Sequence, residues 1–209
     1  SLLLFVMFMA MLWVTTGRWT YVLIGLVLFA IGTFVAAHLL GQINDRITVW
    51  LDPSKTIQGS GLQSIEGEFA FGFGGLYGTG LGMGHAGAIP VAYSDYIFAA
   101  IGEDLGMLGS VAIVVGFMLL IGSGLRAGLN ARSEFAKLVA IGLTAVLGFQ
   151  TFFIMAGVLR LLPLTGVTLP FVSYGGSSLV ANYMLVALLM RISDEGSTTG
   201  GRHSSTAPT

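Results

Sequence analysis

Four stretches of this chain run for about twenty residues without one Asp, Glu, Lys or Arg: Trp19 to Leu40, Leu105 to Leu125, Leu138 to Leu159, and Phe171 to Met190. Each is long enough to cross the hydrocarbon core of a bilayer as a helix. Charged residues make up 9% of the chain, against about 25% in an ordinary soluble domain. A water-soluble globule of this size could not cover itself with so few ionic groups, and the mean hydropathy of +0.87 points the same way. The fold class is therefore an all-α integral membrane protein, a polytopic helical bundle. A net charge of -1 argues against a nucleic-acid partner, which calls for a basic face. The absence of cysteine removes disulfides and thiolate metal sites.

The chain opens on a shorter apolar run, Leu2 to Val14, with no basic segment before it and no small-residue cleavage site after it. It reads as part of a transmembrane helix rather than a signal-peptide core, so the chain is expected to be the C-terminal part of a larger protein. Five helices are expected in all, at about 2–15, 19–40, 96–124, 136–159 and 173–191, within a membrane domain over 1–192. Residues 41–95 form a large extracellular loop, too long and too rich in glycine to be a plain connector. Residues 193–209, dominated by Ser, Thr and Gly, are expected to be a disordered cytoplasmic tail.

Orientation follows the basic residues. Arg18, Arg126, Arg132, Lys137, Arg191 and Arg202 fall on the side of the tail, and Arg46, Lys55 and Arg160 on the other. This bias puts the C-terminus in the cytoplasm and the long loop outside. Asp45, Asp52, Glu66, Glu68 and Asp95 then lie on the outer face, and Glu103 and Asp104 just inside the next helix.

Three segments could carry chemistry. Ile65 to Gly84 holds eight glycines in twenty residues. Such a run lets backbone N–H groups approach a phosphate or sugar, or lets two helices touch backbone to backbone; no Gly-Lys-Ser/Thr follows, so it is not a P-loop. Pro90 to Gly106 brings Asp95, Glu103 and Asp104 to the point where the chain enters the membrane. Asp95, or Ser94 beside it, can cap the helix, and the helix dipole at that position keeps a carboxylate ionised and able to accept a proton. Glu103 and Asp104 lie deeper, where ionisable groups are functional or paired to a neighbouring helix. In Leu162 to Ser178, Pro163 and Pro170 break the helix, and the hydroxyls and glycines of Ser173 to Ser178 stand at membrane depth. Irregular backbone there lines a cavity or is buried in protein, as a broken hairpin would be. His38, His85 and His203 are scattered and give no metal set.

The run SDYIFAAIGEDLG from Ser94 to Gly106, followed by LPLTG and then LPFVSYGGSS, resembles the SEDS family of bacterial cell-wall polymerases, the RodA and FtsW type. Asp45-Arg46-Ile47, Leu51-Asp52-Pro53, Gln63, the GGLYGTGLG run from Gly74 to Gly82, and Pro90 extend the resemblance over nearly all of the chain except the tail. Asp104 stands where a second Glu is more usual, Thr168 where many members have Pro, Ile154 where many have Asn, and Val91 where Glu is common. These departures look like an actinobacterial subgroup nearer the elongation type.

The resemblance implies a ten-helix membrane enzyme, of which this chain looks like the last five helices. It implies a peptidoglycan glycosyltransferase that polymerises lipid II, an undecaprenyl-pyrophosphate-linked precursor, beside a class B penicillin-binding protein. The family's catalytic aspartate corresponds to Asp95. Transfer from a pyrophosphate donor needs a base for the acceptor hydroxyl and stabilisation of the leaving diphosphate. Asp95 is the expected base, with inversion at the sugar carbon by a single carboxylate. Arg46, Lys55, Gln63, Ser94, Glu103, Asp104, Ser173, Tyr174, Gly175, Gly176 and Ser177 are the expected substrate-binding residues. Arg160 is the remaining outer-face cation. A divalent cation, magnesium or manganese, could assist. A lipid flippase or transporter, or a scaffold of the cell-wall synthesis complex, is the alternative.

Overall fold

The computed structural model describes residues 2–39, 47–56, 60–84, 94–164 and 166–197. Its helices are α1 (Leu2–Thr16), α2 (Trp19–Leu39), α3 (Ser60–Gly74), α4 (Ile97–Leu129), α5 (Glu134–Val158) and α6 (Gly176–Ser197). A short helical stretch at 47–51 and a 3-10 turn, Pro53–Thr56, precede α3. Four helices, α2, α4, α5 and α6, are long and apolar enough to span a bilayer, and α1 is shorter.

α4 and α5 form the centre of the bundle. α1 packs on α5, α2 on α1, and α6 across both α4 and α5. Large apolar side chains such as Leu23, Leu28 and Phe34 on α2 and Met118 and Leu119 on α4 point outward, as expected where lipid rather than water is the solvent. The larger core lies at the end of the bundle that carries the loop. Ala70 of α3, Tyr96, Phe98 and Ala99 at the start of α4, Ile154 and Val158 of α5, and Leu169 pack together there. A smaller core of Ala140, Leu185 and Leu189 joins α5 to α6.

α3 lies in what the sequence presents as loop. It packs on the first turns of α4, and small residues set the distance. A Cβ on Gly74 would stand 2.0 Å from the Gly102 carbonyl oxygen, so the backbones touch in the manner of small-residue helix pairs. This is the second of the two uses open to the glycine run.

Helix limits move for identifiable reasons. α5 starts at Glu134, before the expected 136, because the Ser133 hydroxyl accepts the Ala136 N–H at 3.1 Å as an N-cap. α4 continues to Leu129, beyond the expected 124, with Ala127 and Gly128 buried; Gly128 abuts Ala140 and Ile141 of α5. α6 begins at Gly176 rather than 173, because Ser173 serves the loop before it. It also runs to Ser197, into the segment expected to be a disordered tail from 193. Arg191 and Glu195 pair there at 3.2 Å one turn apart, and Gly196 rests on the Asn130 carbonyl. Residues 198–209 lie outside the described residues.

Candidate active site

α4 is not continuous. At Gly106 the backbone takes φ 66°, ψ -164°, a region open essentially to glycine alone. In an unbroken helix the N–H groups of Met107 and Leu108 would reach the carbonyls of Glu103 and Asp104. Here Met107 N–H donates to the Gly75 carbonyl at 2.9 Å and Leu108 N–H to that of Leu76 at 3.3 Å. The released carbonyls accept from the loop in return: Glu103 from Thr79 N–H at 2.9 Å, Asp104 from Gly80 N–H at 3.0 Å. The Asp104 carboxylate also accepts the Gly82 N–H at 3.0 Å. These four backbone groups freed by the break therefore find partners in the glycine-rich segment, as an apolar surrounding demands.

The break can form only because the loop comes close. A Cβ on Gly78, itself at φ 80°, would meet the Asp104 carbonyl oxygen at 2.2 Å. The glycines from Gly74 to Gly82 are used inside the protein, to mend a helix. Glu103, although 2% exposed, and Asp104 belong to this joint.

Ahead of the break, Asp95 and Tyr96 introduce α4 beside a cavity of about 210 Å3. Trp50, Gln63, Asp95, Tyr96, Arg160 and Leu164 are among its lining residues. Tyr96 is buried against Gly67, and its hydroxyl lies 3.1 Å from that of Ser64. Burial pushes the Tyr96 phenol above its ordinary range, opposed by the Ser64 hydrogen bond. No side-chain hydrogen bond caps α4 at Tyr96.

The C-terminal end of α5 also lines the cavity. Arg160 N–H donates to the Gly157 carbonyl at 3.1 Å and Leu161 N–H to that of Ala156 at 2.8 Å. This pair of bonds is a Schellman motif with Arg160 at the left-handed position, φ 57°. Glycine is usual there; a side chain costs about 1–2 kcal/mol. The Arg160 guanidinium pairs with the Glu68 carboxylate and donates to the Trp50 carbonyl at 3.0 Å. The Trp50 indole N–H returns a bond to the Arg160 carbonyl at 2.8 Å. One residue thus ties the 47–51 stretch, α3 and α5 around the cavity.

Behind Asp95, the Ser173 hydroxyl donates to the Ser94 carbonyl at 2.6 Å and accepts the Leu169 N–H at 2.8 Å. It pins the chain before Asp95 to the segment between α5 and α6. In that segment Pro170 and Phe171 form a tight turn closed by Val172 N–H on the Leu169 carbonyl at 3.3 Å. Phe171, at φ 63°, stacks edge-on against Tyr183 of α6 with ring centroids 5.6 Å apart.

Of the residues singled out in the sequence, Asp95 and Gln63 line the cavity together, and Ser94 and Ser173 support it from behind. Glu103 and Asp104 sit at the helix joint. Tyr174 is exposed, Gly175 precedes α6, and Gly176 and Ser177 begin it; none of these four lines this cavity. Arg46 and the Lys55 side chain lie outside the described residues. Trp50 and Glu68 did not stand out in the sequence as parts of a site. The only signal was Arg160 itself, a lone cation between a long apolar run and Pro163. Among the described residues no three carboxylate or histidine side chains converge as a ligand set.

These features define a multi-pass helical membrane protein with a broken spanning helix repaired by a glycine-rich loop, and a carboxylate-bearing cavity at that end of the bundle. The chain belongs to the FtsW/RodA/SpoVE family, whose model, described as a cell cycle protein, matches residues 1–198. The peptidoglycan glycosyltransferase RodA of Mycobacterium tuberculosis is 46% identical over 193 residues, which is 92% of this chain and 41% of that protein. The Mycobacterium leprae protein of the same name is 45% identical over 92% of this chain and 42% of its own length. A probable peptidoglycan glycosyltransferase FtsW of Geobacter metallireducens is 39% identical over 71% of this chain and 40% of its own. The chain therefore spans about two fifths of the length of these relatives. A chain from a solved structure, titled as showing structural coordination of polymerisation and crosslinking by a peptidoglycan synthase complex, shares the fold. Its TM-score is 0.70 at 24% identity, covering 90% of this chain and 52% of that one.

Proposed function

We propose that this chain forms the catalytic face of a peptidoglycan glycosyltransferase that extends glycan strands from lipid II at the outer surface of the cytoplasmic membrane. The observation that carries the reading is Asp95 in one cavity with Gln63 and Arg160, next to a break whose Glu103 and Asp104 carbonyls and Met107 and Leu108 N–H groups are taken up by the glycine-rich loop. Asp95 takes the proton of the acceptor sugar hydroxyl. The resulting oxygen bonds to the donor sugar carbon from the face opposite the diphosphate, and the bond to the diphosphate breaks. The configuration inverts, and cationic side chains, Arg160 with Arg46 and Lys55 as further candidates, balance the leaving charge. The precursor reaches the site from the membrane through its lipid tail, and a class B penicillin-binding protein cross-links the product. The described residues do not by themselves fit a divalent cation.

The reading is favoured over a transporter by the state of the broken helix. Transporters use unwound backbone at mid-membrane to coordinate their cargo; here the loop takes those groups. A scaffold would have no use for the Asp95 carboxylate. The test is Asp95→Asn in the full-length protein, supplied with lipid II. Loss of strand synthesis by at least about a hundredfold, the usual contribution of a general base, with an unchanged melting temperature supports the proposal. Strand synthesis at the wild-type rate refutes it.

A further inference from the structure

Arg160 is held more tightly, and at more conformational expense, than the end of a helix requires. It occupies the left-handed position of the Schellman motif at φ 57°, where glycine would be free of strain. Strain of this kind persists where the surroundings over-determine it, and it gathers at functional sites. Two of its five donor positions are used, by Glu68 and by the Trp50 carbonyl. Its Nε–H is buried without a partner among the described residues. The side chain lines the same cavity as Asp95, and Trp50 fixes it from both ends.

We propose that Arg160 is the diphosphate-binding residue of this cavity, and that Glu68 is a resident carboxylate which the diphosphate of the lipid-linked sugar displaces. The inference rests on the polymerase reading above and goes beyond it in assigning the anion site. A guanidinium is planar and always charged, and it meets phosphate oxygens two at a time. Glu68 is half exposed in the pair, and exposed ion pairs are weak enough to exchange. The Trp50 bonds keep the guanidinium aimed while its carboxylate leaves, so that little ordering remains to be done when the ligand arrives.

A purely structural tie makes a different prediction, because Arg160→Gln and Glu68→Gln would then break the same link and act alike. The proposal requires opposite signs. In the full-length protein, R160Q raises KM for lipid II and weakens inhibition by inorganic pyrophosphate. Both change roughly tenfold or more, the loss expected for one charge-assisted partner, with a smaller change in kcat. E68Q shifts both in the other direction by severalfold, because the site no longer holds a competing carboxylate. R160K, which keeps the charge, recovers part of the loss and serves if R160Q does not fold. Parallel weakening in R160Q and E68Q, or wild-type values in R160Q, overturns the assignment. An active wild type, an inactive D95N and an R160Q with normal pyrophosphate inhibition would remove Arg160 and leave the polymerase reading standing; D95N with wild-type strand synthesis would remove that reading.

Discussion

Replacing Gly106 by alanine adds one methyl group and attacks the joint from two directions. The residue holds φ 66°, ψ -164°, a region that costs a non-glycine residue about 1–3 kcal/mol. The new Cβ would also stand 2.4 Å from Gly78 N and 2.7 Å from the carbonyl carbon and oxygen of Leu76. Those atoms are backbone and cannot rotate aside, so overpacking adds about 1–3 kcal/mol. The sum, about 2–6 kcal/mol, is a large part of a marginal stability of roughly 5–15 kcal/mol. If the helix straightens to escape the clash, Met107 and Leu108 leave Gly75 and Leu76, and Thr79 and Gly80 lose their acceptors, so the cost reappears in the loop. The matched control is Gly116→Ala in the same helix, where a Cβ meets nothing within 4 Å. That change should leave stability unchanged or raise it by about 0.5–1 kcal/mol, through the ordinary preference of a helix for alanine over glycine. Thermal melts of the two purified variants in one detergent read the contrast. If G106A melts at or above the wild-type temperature, the break is not held by the pairing described, and the role given to the glycine run fails.

Two further tests follow from the walls of the cavity. Ser173→Ala leaves the buried Leu169 N–H without the hydroxyl that accepts it at 2.8 Å and frees the Ser94 carbonyl from a 2.6 Å bond. A destabilisation of about 1–3 kcal/mol is expected, with kcat falling more than KM rises because the chain before Asp95 loses its anchor; Ser123→Ala, at an exposed position, is the stability control. Burial raises the Tyr96 phenol, so the folded chain holds that proton after the unfolded chain has released it. Its contribution is complete below about pH 10 and is lost as pH rises through the folded value, at up to about 1.4 kcal/mol per pH unit. Melting temperatures measured from neutral to strongly alkaline pH should fall less steeply for Tyr96→Phe than for wild type, and an equal slope would show that Tyr96 is not the group responsible.

Much of this protein is legible along the chain because the bilayer imposes a local rule. A run such as Leu138 to Leu159 needs no knowledge of its neighbours to be a spanning helix, since lipid accepts only backbone that pairs with itself. Asp95, an acid at the point where the chain re-enters the membrane, is conspicuous for the same reason. The glycine run is ambiguous in sequence, because close approach to a ligand and close approach to another helix ask for the same residue. The loop helix α3 has no long apolar stripe and is fixed by contact with α4. Arg160 appears in sequence as a charge and nothing more; its hold on Trp50 and its place in the same cavity lining as Asp95 depend on segments far apart in the chain.

The sequence by itself determined which segments enter the membrane and which face gathers the acids, because hydrophobic length and charge act residue by residue. Only the tertiary structure decided that Thr79 and Gly80 complete the hydrogen bonds of Glu103 and Asp104, that Ser173 positions the chain at Ser94, and that Glu68 occupies the guanidinium of Arg160. Each of these is a bond between residues distant in the chain, and such bonds leave no periodic trace in the sequence.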